Sequence, residues 1–447
     1  MWSQSASPVR AGTPSSRPAP LDPGPFGRRP LDGVSLDRSS LDRSSLDGRP
    51  LDGRSLDGSI PLLSRFRSAG AYTRVQACSP PGPWIADRRF DLLFVFASCL
   101  LVAVPLTTYY TVTWLTGVPP QSFQQNQALS IAMFINLGAA FLIGGPHMYA
   151  TYTLTLAERR FREAHPWLLR AAAGIPVVVV TLTLWKIELL LFVFFGWASV
   201  HALHQVVFLV QQYQLRAPRP LPLGSRLVDY TVATTCIYPL AAWRMLAEPG
   251  TELTLPLGLT AQAGFRVGAV NVADQLPSFL VGQVWIAAAI SAVFGVAFVL
   301  FLARTVFEIA TGRVVWPRTL ILLLTAPIAL ALPLFENLDV ALQGFNLWHS
   351  VQYMGLVYLM NSYRSERYEV SSVVIDLISG RGQGLRYYAF IVTVSLGTGG
   401  IMGVLHFGLG LPMLQVYYCI LLSALWVHYL WDHWVFQELD ALTPTRS

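Results

Sequence analysis

Ten apolar stretches separated by short polar connections fill the chain from position 91 to position 436: Asp91–Val112, Ala128–Thr155, Trp167–Trp185, Leu189–Gln212, Val228–Leu246, Phe279–Leu302, Leu320–Phe335, Val340–Met360, Tyr388–Leu409 and Met413–Phe436. Most hold 19 or more residues. At a rise of about 1.5 Å per residue, each is long enough as a helix to cross the roughly 30 Å of hydrocarbon in a bilayer. The fold expected is all-α, a polytopic transmembrane bundle of about ten spans. Its seventh span is the shortest. Proline and glycine inside the spans (Pro105, Gly144, Gly145, Pro146, Pro176, Pro239, Pro327) fit that reading, because neighbouring helices can satisfy the backbone groups they free.

The basic residues between the stretches are distributed unevenly. Alternate connections carry Arg159, Arg160 and Arg162; Arg216, Arg219 and Arg226; Arg304, Arg313 and Arg318; and Arg364, Arg367, Arg381 and Arg386. The other set carries Lys186 and Arg266, with Arg244 near a helix end. Positive charge stays on the cytoplasmic side, so both termini are expected in the cytoplasm and the number of spans is expected to be even. A bacterial chain of this kind would lie in the inner, cytoplasmic membrane.

Before the first span the pattern is different. From Leu31 to Asp57 the pair Leu-Asp recurs every five residues, among Pro, Ser, Gly and Arg. A period of five builds neither a helix face nor a strand face, and six such units are too few for a solenoid. Residues 1–86 therefore read as a disordered, low-complexity tail, 87–440 as the membrane domain and 441–447 as a short C-terminal tail. The first long apolar run begins near Phe90, so no secretory signal is expected.

Composition narrows the class further. Of 447 residues 53% are hydrophobic and 13% charged, about half the charge of a soluble domain. The net charge of +6 is not gathered into a basic stripe with interleaved aromatics, so no nucleic acid is expected as partner. The expected partners are the lipid bilayer and a hydrophobic small molecule. Cys78, Cys99, Cys236 and Cys419 lie too far apart for a CxxC pair and read as small apolar side chains.

Seven of the eight histidines lie in or beside the apolar stretches, and His165 alone is in a connection. Ionisable groups at membrane depth are costly and mark functional sites. In Gly144-Gly145-Pro146-His147 the proline predicts a kink or break, the glycines allow close helix approach, and Thr151 follows His147 by one turn. His201, His204 and Gln205 share a stripe with Phe208 and Gln212 at spacings of three and four, as do Asn346, His349, Gln352 and Tyr353. His428 and Asp432 are four apart. His433 points elsewhere, roughly 140° around the helix from His428. Counted from Arg159, Arg216 and Arg364, His147, His201, His204 and His349 fall in one layer, roughly 18–22 Å from a common boundary, with His428 expected a turn or two deeper. His406 lies near the opposite surface.

Imidazoles from separate helices at one depth suit a metal ion. His147, His201, His204, His349 and His428 are the expected ligands, and Gln205, Gln352, Tyr353 and Asp432 are expected to orient them or handle protons. Iron with open positions would suit oxidation of a lipid-like substrate. Paired axial histidines would suit b-type haem and electron transfer. A transporter or proton-coupled channel could use the same groups as a relay, with the break at Gly144–Pro146 at its binding site. The HxxxH and HxxHH boxes of membrane desaturases are absent.

Gly144-Gly145-Pro146-His147 with Tyr149-Ala150-Thr151, Trp348-His349 with Gln352-Tyr353, and His428-Tyr429 with Asp432 resemble motifs of uncharacterised multipass bacterial membrane proteins. The first is also similar to the Gly-x-Pro-His motif of the Brp/Blh carotene-cleaving oxygenases. That resemblance implies a membrane oxygenase with a histidine-bound iron. The Gly-Ala-Leu-Asp that follows the histidine in that family is not present here.

Overall fold

The computed structural model describes residues 82–116, 131–248, 250–254, 260–267, 270–335, 338–437 and 442. The unit Met1–Thr73, with the Leu-Asp repeat, lies outside the described residues, as does Cys78.

Thirteen helices follow in chain order among the described residues. They are α1 (Arg88–Leu115), α2 (131–154), α3 (Arg159–Ala164), α4 (Pro166–Trp185), α5 (Ile187–Leu215), α6 (Leu223–Thr235), α7 (Tyr238–Leu246), α8 (Val284–Ala310), α9 (Trp316–Leu334), α10 (Leu338–Glu366), α11 (Val373–Ser379), α12 (Gly384–Gly408) and α13 (Met413–Val435). Seven of them, α1, α4, α5, α8, α9, α12 and α13, are long and apolar enough to cross a membrane. Of the other three expected spans, the second is α2 and the eighth is α10, whose length is ample but whose middle is polar. The fifth is divided at Cys236-Ile237 into α6 and α7, just ahead of Pro239. The sixth begins at Val284 instead of Phe279, because a turn with Gly282 at φ 79° occupies the preceding residues.

Exposed Val177, Val178 and Leu184 on α4, Val293, Val296 and Val299 on α8, and Leu396, Ile401 and Val404 on α12 cover the outside of these helices. Contiguous apolar surface on this scale is unstable in water and natural against lipid. Trp114, Trp185, Trp285, Trp167 and Trp316 stand exposed at helix ends, where an indole can anchor at a membrane–water boundary. Two short antiparallel hairpins depart from the all-α expectation: Glu252–Thr254 with Thr260–Gln262, and Arg266–Val267 with Val270–Asn271. Arg244 fastens them to the bundle, donating from Nε to the Gln262 carbonyl (2.9 Å) and from a terminal nitrogen to the Pro333 carbonyl (2.7 Å).

Where α8 ends and α9 begins, two of the arginines expected in connections are instead drawn into a charge cluster, Arg318 fully buried and Arg304 partly so. Arg304 pairs with Asp229 of α6 and with Glu308 (3.4 Å), and Arg318 of α9 pairs with Glu308 and faces Asp229 at 3.8 Å. Gln214 of α5 donates to Asp229 (3.0 Å). Two positive and two negative groups cancel, which is what allows charge at this depth.

α10 runs through the centre of the bundle, packed on α1, α2 and α5. Gly344 and Gly355 make this possible. A Cβ at Gly344 would overlap the Val102 carbonyl, and one at Gly355 would lie 3.1 Å from the Phe94 ring. The start of α1 is held by Asp91, whose carboxylate accepts from the Ile85 amide (2.9 Å), the Ala86 amide (3.3 Å) and the Tyr213 hydroxyl (2.9 Å). This fixes α1 against the end of α5.

Candidate metal centre

Pro146 has no N–H to give to the preceding turn, and its ring crowds the carbonyl four residues back. The helix answers by widening. Ala140–Gly144 forms a π turn in which the Gly145 amide bonds the Ala140 carbonyl, five residues behind it. The α-helix resumes at Gly145 and presents His147 and, one turn on, Thr151. A Cβ at Gly145 would collide with Ser395 Oγ of α12, so glycine there lets α12 close over the turn. Another of the four π turns among the described residues, Tyr418–Leu422, precedes the segment of α13 that carries His428 and Asp432. Such turns redirect side chains and concentrate at functional sites.

Four helices thus deliver four imidazoles and a carboxylate to one place. The ring of His147 (α2) lies 4.3 Å from His428 (α13), 4.8 Å from His349 (α10) and 6.1 Å from His201 (α5). His201 is 4.8 Å from His428 and 5.0 Å from His349, and the two Nε2 atoms of His201 and His349 approach to 3.1 Å. One donor atom each from His147, His201, His428 and Asp432 lies within 4.8 Å of the others. Ligands on opposite sides of an ion at about 2.1 Å are about 4.2 Å apart, so these four need only a slight contraction to share one. All five side chains are buried, His428 and Asp432 completely.

The hydrogen bonds show which atoms are committed and which are spare. His147 Nδ1 meets Ser350 Oγ at 3.0 Å, and Ser350 in turn donates to Asn346 Oδ1 at 3.3 Å. The serine proton is thereby used, so His147 Nδ1 is the donor and its Nε2 keeps a lone pair. Thr151 Oγ1 lies 2.5 Å from His428 Nδ1, 2.8 Å from Asp432 Oδ1 and 2.6 Å from the Tyr353 hydroxyl, which itself donates to Asp432. Thr151 has one proton, and it goes to these oxygens. His428 therefore donates from Nδ1 and also keeps the lone pair on Nε2. Left without a hydrogen-bond partner among the ring and carboxylate atoms here are His147 Nε2, His428 Nε2 and Asp432 Oδ2, the last 3.8 Å from His201 Nε2. Three unpaired acceptors would cost about 1–3 kcal/mol each. A cation among them satisfies all three, and Nδ1–H bonds to an outer oxygen are how metal-binding histidines are held. The residues fit a metal ion.

Other residues position this set. His201 stacks on Tyr429 at 4.2 Å. Gln205 donates to the His349 carbonyl and to Gln352 Oε1, both at 3.1 Å, and Gln352 donates to the Val95 carbonyl at 2.7 Å. Gln352 thus ties α1, α5 and α10 together without reaching the ring nitrogens, whereas Tyr353 and Asp432 touch the centre directly. His349 stands in ring contact with the group.

His204 is not brought in. On α5 it lies about 60° to one side of His201 while Gln205 lies about 40° to the other, and the centre is on the Gln205 side. Its ring instead lies 5.4 Å from His433 and 5.2 Å from Phe436. His428 is level with the other histidines instead of deeper. Arg216, just past the end of α5, donates to the Leu442 carbonyl at 2.7 Å. His406 is partly exposed and bonds the Leu411 carbonyl through Nδ1 (2.7 Å), and His165 packs on Phe161 and Trp434.

No pattern in the chain singles out Ser350. It neighbours His349, and adjacent residues on a helix face about 100° apart, so nothing in the spacing links it to His147. Thr151, one turn after His147, shares a visible face with it, but its part as the hub between His428 and Asp432 comes only from the tertiary structure.

Fold and site define a multi-spanning helical protein of membrane type with a buried histidine–aspartate group able to hold a metal ion. No family model, curated protein or solved structure matches the chain.

Proposed function

We propose that the chain is an intramembrane metalloprotein that binds one iron ion through His147, His201, His428 and Asp432, with His349 beside them, and oxidises a hydrophobic substrate reaching it from the bilayer. The proposal includes ten spans with both termini in the cytoplasm, α2, α6–α7 and α10 joining the seven more apolar helices. The observation that carries it is the convergence of unpartnered His147 Nε2, His428 Nε2 and Asp432 Oδ2, with the opposite imidazole nitrogens tied to Ser350 and Thr151.

Mixed imidazole and carboxylate ligation suits iron, which supplies open coordination positions and redox chemistry with dioxygen when bound. Ser350 and Thr151 hold the rings with Nε2 directed inward. Asp432 offers Oδ2 to the ion and shares protons with Thr151 and Tyr353 through Oδ1. The Tyr353 ring, 4.7 Å from His147 and 5.4 Å from His428, keeps water away and holds a proton at its hydroxyl. The crowding of four imidazoles and Tyr353 disfavours b-type haem, because a macrocycle needs a flat slot between its axial ligands.

A second reading makes the ion cargo, carried by a proton-coupled transporter. It is favoured by the proton sharing among Asp432, Thr151 and Tyr353 and by the helix irregularity at Ala140–Gly144.

Metal analysis and an absorption spectrum of protein purified in detergent test the proposal. Stoichiometric iron is expected, with no Soret band, lost in His147→Ala and His428→Ala and kept in His406→Ala. Metal-free wild type would overturn the centre. A Soret band would replace it with haem, and metal uptake into proteoliposomes driven by a proton gradient would move the assignment to transport.

A further inference from the structure

A second pair of histidines stands one turn from the centre and takes no part in it. His204 follows His201 by three residues on α5, and His433 follows Asp432 directly on α13. Their rings are 5.4 Å apart and tilted by 37°. His204 is half-buried and His433 is exposed. The Gln437 amide lies 3.0 Å from His433 Nε2, and a half-turn of that amide presents its oxygen as a third donor. The neighbouring Trp434 packs on His165 and Trp167, at the polar connection that holds Arg159, Arg160 and Arg162. The pair therefore lies toward a charged, water-accessible end of the bundle.

Phe436 touches both the pair and the tyrosine beside the centre, edge-on to His204 at 5.2 Å and 5.8 Å from Tyr353. The donor atoms of the centre are all buried, so an ion arriving from water must lose its hydration before reaching them. A bare divalent ion in an apolar interior is prohibitively costly, and it can move only where each ligand lost is replaced by another. Imidazoles one helical turn apart provide such replacements.

We propose that His204 and His433 form an entry site that takes a divalent transition-metal ion from the aqueous boundary and passes it to His201 and Asp432. This rests on the reading of the buried group as a metal centre. The ion moves without change of oxidation state, exchanging water first for the imidazoles of the pair and then for those of the centre.

An entry site changes rates and leaves the end state alone, which separates it from a structural pair. The test strips full-length protein of metal with a chelator and follows cobalt(II) uptake by stopped-flow absorbance in wild type, His204→Gln and His433→Gln. Because His433 is exposed, its replacement does not threaten the fold. Both variants are expected to load more slowly by about tenfold, the effect of removing one modest ligand interaction from the barrier. Release to excess chelator should slow by the same factor, with final stoichiometry and equilibrium affinity unchanged. Loading at the wild-type rate in His433→Gln would overturn the entry site. So would a loss of final occupancy with unchanged kinetics, which would make the pair part of the centre. Wild type that takes up no cobalt would instead overturn the centre itself.

Discussion

The Thr151 hydroxyl lies 2.5 Å from His428 Nδ1, joining α2 to α13 at the edge of the candidate centre. The contact fixes the tautomer of His428, and through the 2.8 Å bond to Asp432 it also sets the direction in which the carboxylate faces. Thr151 thus orients two of the candidate ligands without being one itself.

Replacing Thr151 by valine keeps the shape and removes the hydroxyl. Metal affinity should fall by about 10–100-fold, as for other outer partners of metal-binding histidines, while Thr151→Ser stays near wild type. Competition titration against a chelator measures it. Equal affinity in Thr151→Val and wild type would show that the hydrogen bond does not hold the ring.

Close helix contact on α10 should be sensitive to a single methyl group. Gly344→Ala drives a Cβ into the Val102 carbonyl, and backbone on both sides cannot yield as a side chain could. Overpacking of this kind costs about 1–3 kcal/mol. Gly397→Ala on α12, with nothing within 4 Å, is the control. Thermal unfolding in detergent should separate the two, and similar midpoints would refute the close approach.

The buried charge cluster should behave as a unit. Arg318→Leu alone leaves Glu308 and Asp229 with too little positive charge and should destabilise by about 3–5 kcal/mol. Arg318→Leu with Glu308→Leu removes one charge of each sign and should recover most of the loss. A double-mutant cycle by thermal unfolding reads the coupling, and strictly additive effects would mean that the two side chains do not interact.

Acidification should release the metal. Imidazole binds an ion only through an unprotonated nitrogen, so protons compete at every histidine of the group and affinity falls as pH drops. Chelator titrations over a pH series should show a slope steeper than one proton per ion. An affinity independent of pH would argue against histidine ligation.

The sequence made the long apolar helices plain, since α1, α4, α5, α8, α9, α12 and α13 announce themselves by length and composition. The meeting of His147, His201, His349 and His428 was also legible, because ionisable groups spaced by helical turns at a common depth are too costly in lipid to stand apart from one another. What stayed hidden depended on rotation and on distant partners. His204 and Gln205 are adjacent in the sequence, and only the tertiary placement of α5 decides which of them faces α10. Arg304 and Arg318 looked like residues of connections because their partner Asp229 comes from α6, some 75 residues before Arg304. The division of the fifth expected span into α6 and α7 followed from a proline that composition alone treats as tolerable.

The polarity of α10 bears on how the molecule is made. A helix with Asn346, His349, Ser350, Gln352 and Asn361 along its length gains little by moving singly from the translocation channel into lipid. Its polar side chains find their partners on α1, α2 and α5, at Val95, His147, Thr153 and Gln205, so its place in the bundle is expected to become favourable only once those helices pack against it. The helix that completes the histidine group is thus also the one that depends most on its neighbours for its place.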